Sequence, residues 1–290
     1  AHEAARARLA APAGAEGRAL HSHFALLTEA PALRLVADAQ RAAARRAIDG
    51  THLAEMPLLS AVAPFKAGGP GGPGHYVDIP AGPLSARHLA DLYPFGNALQ
   101  LVRVNGAALL DWLERSAALY LPLRPGAADQ PLLDPGFPTH RFDVLHGLEY
   151  RIDLTRPALY DAEGRRVGTG IGRVEAIRHA GRPVTPGGAY LVVTNTHRTA
   201  ASPPPGGGSC WDIVWDAGVP ARDALAEHLR REGPVRPDPA PIWSFAPMPG
   251  TTAIAETGPG AGAHLADAAG LDVQPAGETA EGFLRLRIRL

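Results

Sequence analysis

Residues Ser85 to Glu114 read SARHLADLYPFGNALQLVRVNGAALLDWLE. Ser85 suits an N-cap for a helix over ARHLADLY, because its hydroxyl can accept from an unpaired first-turn N–H. Pro94 and Gly96 end that helix. Leu99, Leu101, Val102 and Val104 then predict a strand. Asn105-Gly106 turns the chain into a second helix, with Leu109, Leu110, Leu113 and Leu119 facing inward. A strand feeding straight into a helix implies an α/β layout.

The flanking sequence extends that pattern. PALRLVADAQRAAARRAI (Pro31 to Ile48) predicts an amphipathic helix, with Leu33, Val36, Ala37 and Ala44 inward and an Arg-rich outer face. PLLSAVAPF (Pro57 to Phe65) is a short apolar run, expected to be a strand buried on both faces. KAGGPGGPGH (Lys66 to His75) can be only loop. FDVLHGLEYRIDL predicts a strand, and RVEAIRHAGRPV a strand, a tight turn at Ala180-Gly181 and a continuation. AYLVVTN (Ala189 to Asn195) is a β-branched strand running into an expected loop, THRTAASPPPGGGSC. PARDALAEHLRREG (Pro220 to Gly233) is a helix with Pro at its first position. The tail predicts a strand, a helix around Ala263 to Ala269, and FLRLRIRL, whose alternation buries one face. The fold class expected is α/β, mixed sheets with flanking helices. Residues 1–20 are the end of a linker helix and a short lead-in, 21–250 the main domain, and 251–290 a β-α-β extension packed on it.

Composition narrows the function. The chain has 290 residues, 46% apolar and 20% charged, which is ordinary for a globular protein. Its net charge of −1 gives no broad electrostatic case for nucleic acid or membrane surfaces. No apolar run approaches the roughly 20 residues of a bilayer span. One cysteine, Cys210, excludes an internal disulfide framework. Lys66 is the single lysine among 28 basic residues.

The motifs specify no catalytic machinery by themselves. KAGGPGGPG has its Lys before the glycines and no following Ser or Thr, against a phosphate-binding loop. His21 and His23 have no Asp, Glu or Cys at ligand spacing, so no metal centre is expected. Cys210 reads as a lone thiol, and GxSxG is absent. Two loops stand out. Tyr93-Pro94-Phe95-Gly96-Asn97 either caps the strand with a core Phe or presents its ring, with the Asn97 amide offering donor and acceptor. The other follows AYLVVTN and carries Asn195, His197 and Arg198 at a strand's C-terminal edge, where α/β sheets tend to place ligands.

Several segments in order resemble the C-terminal domain of the bacterial 5′-nucleotidase family, within it the 2′,3′-cyclic-nucleotide 2′-phosphodiesterase/3′-nucleotidase branch. They are LLSAVAPFKAGG, YVDIPAGPLSARHLADLYPFGNALQLVRVNGAALLDWLE, HRFDVLHGLEYRIDLTRPALYD, GRPVTPGGAYLVVTNTHR and IWSFAP. The resemblance implies a periplasmic hydrolase of nucleotide catabolism. In it, an N-terminal domain, missing here, holds divalent metals and the catalytic histidine, and Ala1 to Leu9 ends the connecting helix. This chain would bind the nucleoside part, be inactive alone and carry no cofactor of its own. Its partners would be a nucleoside or nucleotide and that N-terminal domain, with no nucleic acid polymer or membrane.

The resemblance also implies site residues. Phe95 matches one aromatic wall of a nucleobase sandwich, and Asn97 a polar contact to the base. His197 stands where family members carry Phe or Tyr for the second wall, and Ala200-Ala201-Ser202 replaces their Gly-Gly. Lys66 falls in a loop where the 5′-nucleotidase branch holds a basic residue near substrate, and Asp143 lies in a matching stretch. A divergent stand-alone nucleoside-binding or interaction module is the alternative.

Overall fold

The computed structural model of the chain describes residues 12–202, 204–208, 210–232, 242–268 and 270–290. Its centre is a five-stranded sheet made of β1 (Leu58–Val62), β2 (Ala98–Asn105), β3 (Val144–His146), β4 (Ala189–Asn195) and β5 (Asp212–Pro220). Their spatial order is β5-β2-β4-β1-β3. Only β4 and β1 run parallel; the other neighbours are antiparallel. All five residues of β1 are buried, as its unbroken apolar run predicted. Its one polar side chain, Ser60, donates to Gln40 Oε1 at 2.7 Å, so the strand buries no unpaired hydroxyl.

Among the described residues, five α-helices flank the strands: α1 (Pro31–Ile48), α2 (Ala86–Leu92), α3 (Gly106–Ala117), α4 (Thr196–Ala201) and α5 (Ala221–Glu232). α1 has the expected bounds and buries Leu33, Val36, Ala37 and Ala44 against β1 and α5. α3 begins on its Asn105 cap, whose Oδ1 accepts from the Ala108 N–H at 2.8 Å. Gly106 is needed there, since a Cβ would lie 2.1 Å from the Thr185 carbonyl oxygen. Of the four leucines assigned inward, Leu109, Leu113 and Leu119 are buried, whereas Leu110 is exposed. It directly follows Leu109 and so turns about 100° off the buried stripe.

Two further four-stranded sheets and two two-stranded ones make up the remaining sheets among the described residues. One four-stranded sheet aligns Arg182–Pro183, Val174–His179, Glu149–Ile152 and Trp243–Phe245; the predicted Ala180-Gly181 turn has positive φ at both residues, 47° and 73°. The other four-stranded sheet aligns Asp272–Glu278, Leu284–Arg289, Thr252–Thr257 and Gln130–Pro131, tying the C-terminal extension to the Pro-rich loop.

Several expectations need correction. Part of the presumed lead-in, Pro12–Glu16, is a strand paired with Gly82–Ser85. Ala1 to Leu9 lies outside the described residues. The stretch after Asn195 forms α4 because the Asn195 side chain caps it, accepting from the Arg198 N–H at 3.0 Å. Asp212–Pro220, assigned no element from sequence, is the edge strand β5, so Pro220 ends a strand and α5 starts at Ala221. FDVLHGLEYRIDL makes two strands in different sheets. The tail helix is a 3-10 segment, Pro259–Asp267, followed by an additional strand, Asp272–Glu278.

Candidate functional site

The strand register brings the two singled-out loops to one edge of the central sheet. Asn195 at the end of β4 pairs with Leu99 near the start of β2. Asn97 and His197 each lie two residues beyond that pair. The Ala98 N–H donates to Thr196 Oγ1 at 3.3 Å and links the two loops. The end of β5 joins the same edge, where the Ala221 N–H donates to the Asn97 carbonyl at 2.8 Å.

Within Tyr93–Asn97 the backbone is tied down while one ring is left out. Arg222, on α5, donates to the carbonyls of Tyr93 (3.1 Å) and Pro94 (3.0 Å). Tyr93 is buried, its hydroxyl directed at the side chains of Asn97 and Asn195 without an ordinary hydrogen bond; burial raises its pKa to about 12 and keeps it neutral. Phe65 stands edge-on to both Tyr93 (5.1 Å between centroids) and Phe95 (5.0 Å). Phe95 remains 49% exposed. Of the two readings of this loop, the structure has the presented ring, with a half-buried Asn97 beside it.

The other singled-out residues fall into different settings. His197 is exposed in the first turn of α4. Lys66 sits next to Phe65, but its ammonium is 2.6 Å from Asp91 Oδ1, so its charge is matched within the domain. Asp143 is 4% exposed. It accepts from the Trp112 indole N–H (2.8 Å) and the Arg198 guanidinium (2.7 Å), and its own N–H donates to Ser116 Oγ. Arg198 also donates to the His140 carbonyl at 2.9 Å. Asp143 therefore pins the guanidinium of Arg198, itself on α4, and offers no free carboxylate to a ligand. A cavity of about 90 Å³ lies behind this pair, lined in part by Trp112, Arg141 and Trp211. A larger concavity, about 940 Å³, lies elsewhere, between the Gln130 loop and the C-terminal extension.

Residues 12–202 match the family model described as 5′-nucleotidase, C-terminal domain. The chain belongs to this family. Over 303 residues it is 34% identical to the 2′,3′-cyclic-nucleotide 2′-phosphodiesterase/3′-nucleotidase of Haemophilus influenzae, covering 100% of this chain and 46% of that protein. Over 251 residues it is 35% identical to the trifunctional nucleotide phosphoesterase protein YfkN of Bacillus subtilis, covering 85% of this chain and 17% of the relative. This 5′-nucleotidase C-terminal domain thus spans less than half the length of those relatives, which are nucleotide phosphoesterases. Its fold is that of a putative 5′-nucleotidase from Staphylococcus aureus, with TM-score 0.60 and 17% identity over 84% of this chain and 42% of that one. A 5′-nucleotidase precursor from Thermus thermophilus gives 0.57 and 18% over 84% and 41%. No helix among the described residues is long and apolar enough to cross a membrane.

Chain spacing missed what tertiary folding brings together. Arg222 and Phe65 support the Phe95 loop of this 5′-nucleotidase domain from separate segments, and neither carried a local signal. The absence of carboxylates near His21 and His23 holds along the chain but not in space. Asp267 Oδ2 is 3.0 Å from His21 Nε2, and Asp78 Oδ2 is 3.2 Å from His23 Nε2.

Two other histidines give the domain an acid sensitivity. Burial lowers the pKa of His140, helped by the nearby Arg198, Arg141 and His197, and burial also lowers that of His228 on α5. A depressed folded-state pKa means that the unfolded chain binds more protons between that value and about 6.5, so stability rises with pH across this window. The urea midpoint is expected to be lower at pH 5.5 than at pH 7.5, and His228→Leu should flatten the difference. Equal midpoints for the unsubstituted domain would contradict the assignment.

Proposed function

We propose that this chain is the substrate-binding domain of a nucleotide phosphoesterase of the 2′,3′-cyclic-nucleotide 2′-phosphodiesterase/3′-nucleotidase kind, a periplasmic enzyme of nucleotide catabolism. The observation that carries the reading is the exposed Phe95 ring on a loop fixed by Phe65 and Arg222. A nucleobase stacks on Phe95, Asn97 meets its edge, and His197 at the same sheet edge forms the second wall as an imidazole face. Lys66, paired with Asp91, and Asp143, paired with Arg198, act by holding the surroundings of the ring in place.

Aromatic–base stacking contributes about 1–3 kcal/mol per contact. Two walls thus give roughly 2–6 kcal/mol before ordering costs, and a millimolar dissociation constant needs about 4 kcal/mol. The chain alone binds nucleosides weakly. Hydrolysis belongs to the N-terminal two-metal domain that the family resemblance supplies, whose metals would activate the attacking water.

The test is hydrolysis of bis-p-nitrophenyl phosphate by the chain with and without added divalent metal. No metal-dependent turnover is expected; turnover that co-purifies with the chain would overturn the division of labour. The replacement of an aromatic wall by His197 favours a second reading, a divergent binding module with no catalytic partner. A metallophosphatase segment ahead of Ala1 in the full reading frame would decide against it.

A further inference from the structure

Three segments bring three imidazoles and two carboxylates together at the junction with the tail. His21 ends a short strand and pairs in register with Asp78, and His23 follows two residues later. His264 and Asp267 come from the 3-10 segment of the extension. The His264 ring stacks on His21 at 4.3 Å between centroids and lies 5.7 Å from His23. His264 Nε2 is 3.0 Å from Asp78 Oδ1, and its Nδ1 is 3.8 Å from Asp267 Oδ2. One ligand atom each from His23, Asp78 and His264 lies within 4.8 Å of the others, as it does for His21, His264 and Asp267.

The donor set has a chemical preference. Imidazole nitrogens with carboxylate oxygens and no thiolate suit zinc and its neighbours better than calcium or magnesium, which take mostly oxygen ligands. Four ligands about 2.0–2.1 Å from a tetrahedral ion stand roughly 3.4 Å apart; Asp78 stands 3.2 Å from His23 Nε2 and 3.0 Å from His264 Nε2, a few tenths of an ångström inside that spacing. The backbone is also shaped to the group. A Cβ at Gly260 would lie 2.8 Å from His23 Nε2 and 2.9 Å from Asp78 Oδ2, so a side chain there would push on both ligand atoms.

We propose that His23, Asp78 and His264 bind one divalent transition-metal ion of the zinc class, with the His21–Asp267 pair lining its other side. The ion fastens the C-terminal extension to the body of the domain. His264 and Asp267 lie beyond the family-matched residues 12–202, whereas His21, His23 and Asp78 lie within them. The site is remote in role from nucleoside binding and stands or falls independently of it.

The test uses the tag-free chain, loaded with zinc, dialysed and assayed for metal by mass spectrometry. Stoichiometric zinc and a melting temperature lowered by chelator are expected. His264→Ala, at a partly exposed position, should weaken zinc binding by more than the roughly 10–100-fold that outer-shell changes cost, and should abolish the chelator response. Gly260→Ala keeps every ligand and should also weaken binding. Cobalt(II) in the unsubstituted chain should give an intense visible band of a four-coordinate N/O site. Failure to retain zinc, retention unchanged in His264→Ala, or a weak six-coordinate cobalt spectrum would each overturn the proposal.

Discussion

Asp143→Ala is expected to destabilise the folded domain by about 3–5 kcal/mol, the usual cost of removing one partner from a buried ion pair. The side chains of Arg198 and Asp143 are only 12% and 5% exposed, so water cannot replace the lost carboxylate easily. The Trp112 indole N–H would lose its acceptor as well. Its ring packs edge-on to Trp211 at 5.2 Å, so the disturbance should spread to the start of β5. Asp143→Asn keeps an oxygen for the indole and should cost less. The double replacement Asp143→Leu with Arg198→Met removes both charges and should recover much of the loss, since apolar substitutes for buried pairs are often neutral. Urea denaturation of the three variants checks this ordering. A loss below about 1 kcal/mol for Asp143→Ala would mean that the pair is solvated like a surface one.

Phe95→Ala is expected to leave the fold intact and to remove most nucleoside binding. The edge-on contact with Phe65 contributes about 0.5–1.5 kcal/mol beyond the area that the half-exposed ring buries, so the stability loss should stay below the roughly 3–5 kcal/mol of a fully buried phenylalanine. If it is the principal stacking wall, binding should weaken by about 1–3 kcal/mol, or roughly 5- to 150-fold. Starting from millimolar affinity, that takes the complex out of reach of ordinary titration. The separation of the two effects is the diagnostic. A core phenylalanine would show a large stability loss together with any binding loss.

The elements legible in the sequence were those with strong local chemistry. α1 and β4 have the predicted bounds because helical spacing in Pro31 to Ile48 and the β-branched run of Ala189 to Asn195 leave little choice. The Asn105-Gly106 turn into α3 and the Ala180-Gly181 corner were readable for the same reason. β5 was not, because Asp212–Pro220 mixes charged, aromatic and glycine residues and exists as a strand only through pairing with β2. α4 was hidden by its short length and the prolines after it, although its Asn195 cap is a local signal that helix chemistry could have used.

Phe95 could be singled out because Pro and Gly around it argue against a core role. What the sequence could not reveal is which groups hold it. Arg222 reaches the loop across more than a hundred residues, and Asp91 meets Lys66 only because α2 folds over it. The histidine–aspartate group was illegible for the same reason, since its members are separated by up to 246 positions.

The most direct test of nucleobase binding at Phe95 is ligand-observed saturation-transfer NMR with adenosine and 3′-AMP at millimolar concentration, on the unsubstituted chain and on Phe95→Ala. Transfer concentrated on the base protons, and lost in the variant, is the predicted result. Equal transfer in both proteins, or none in either, would contradict a nucleobase site at Phe95.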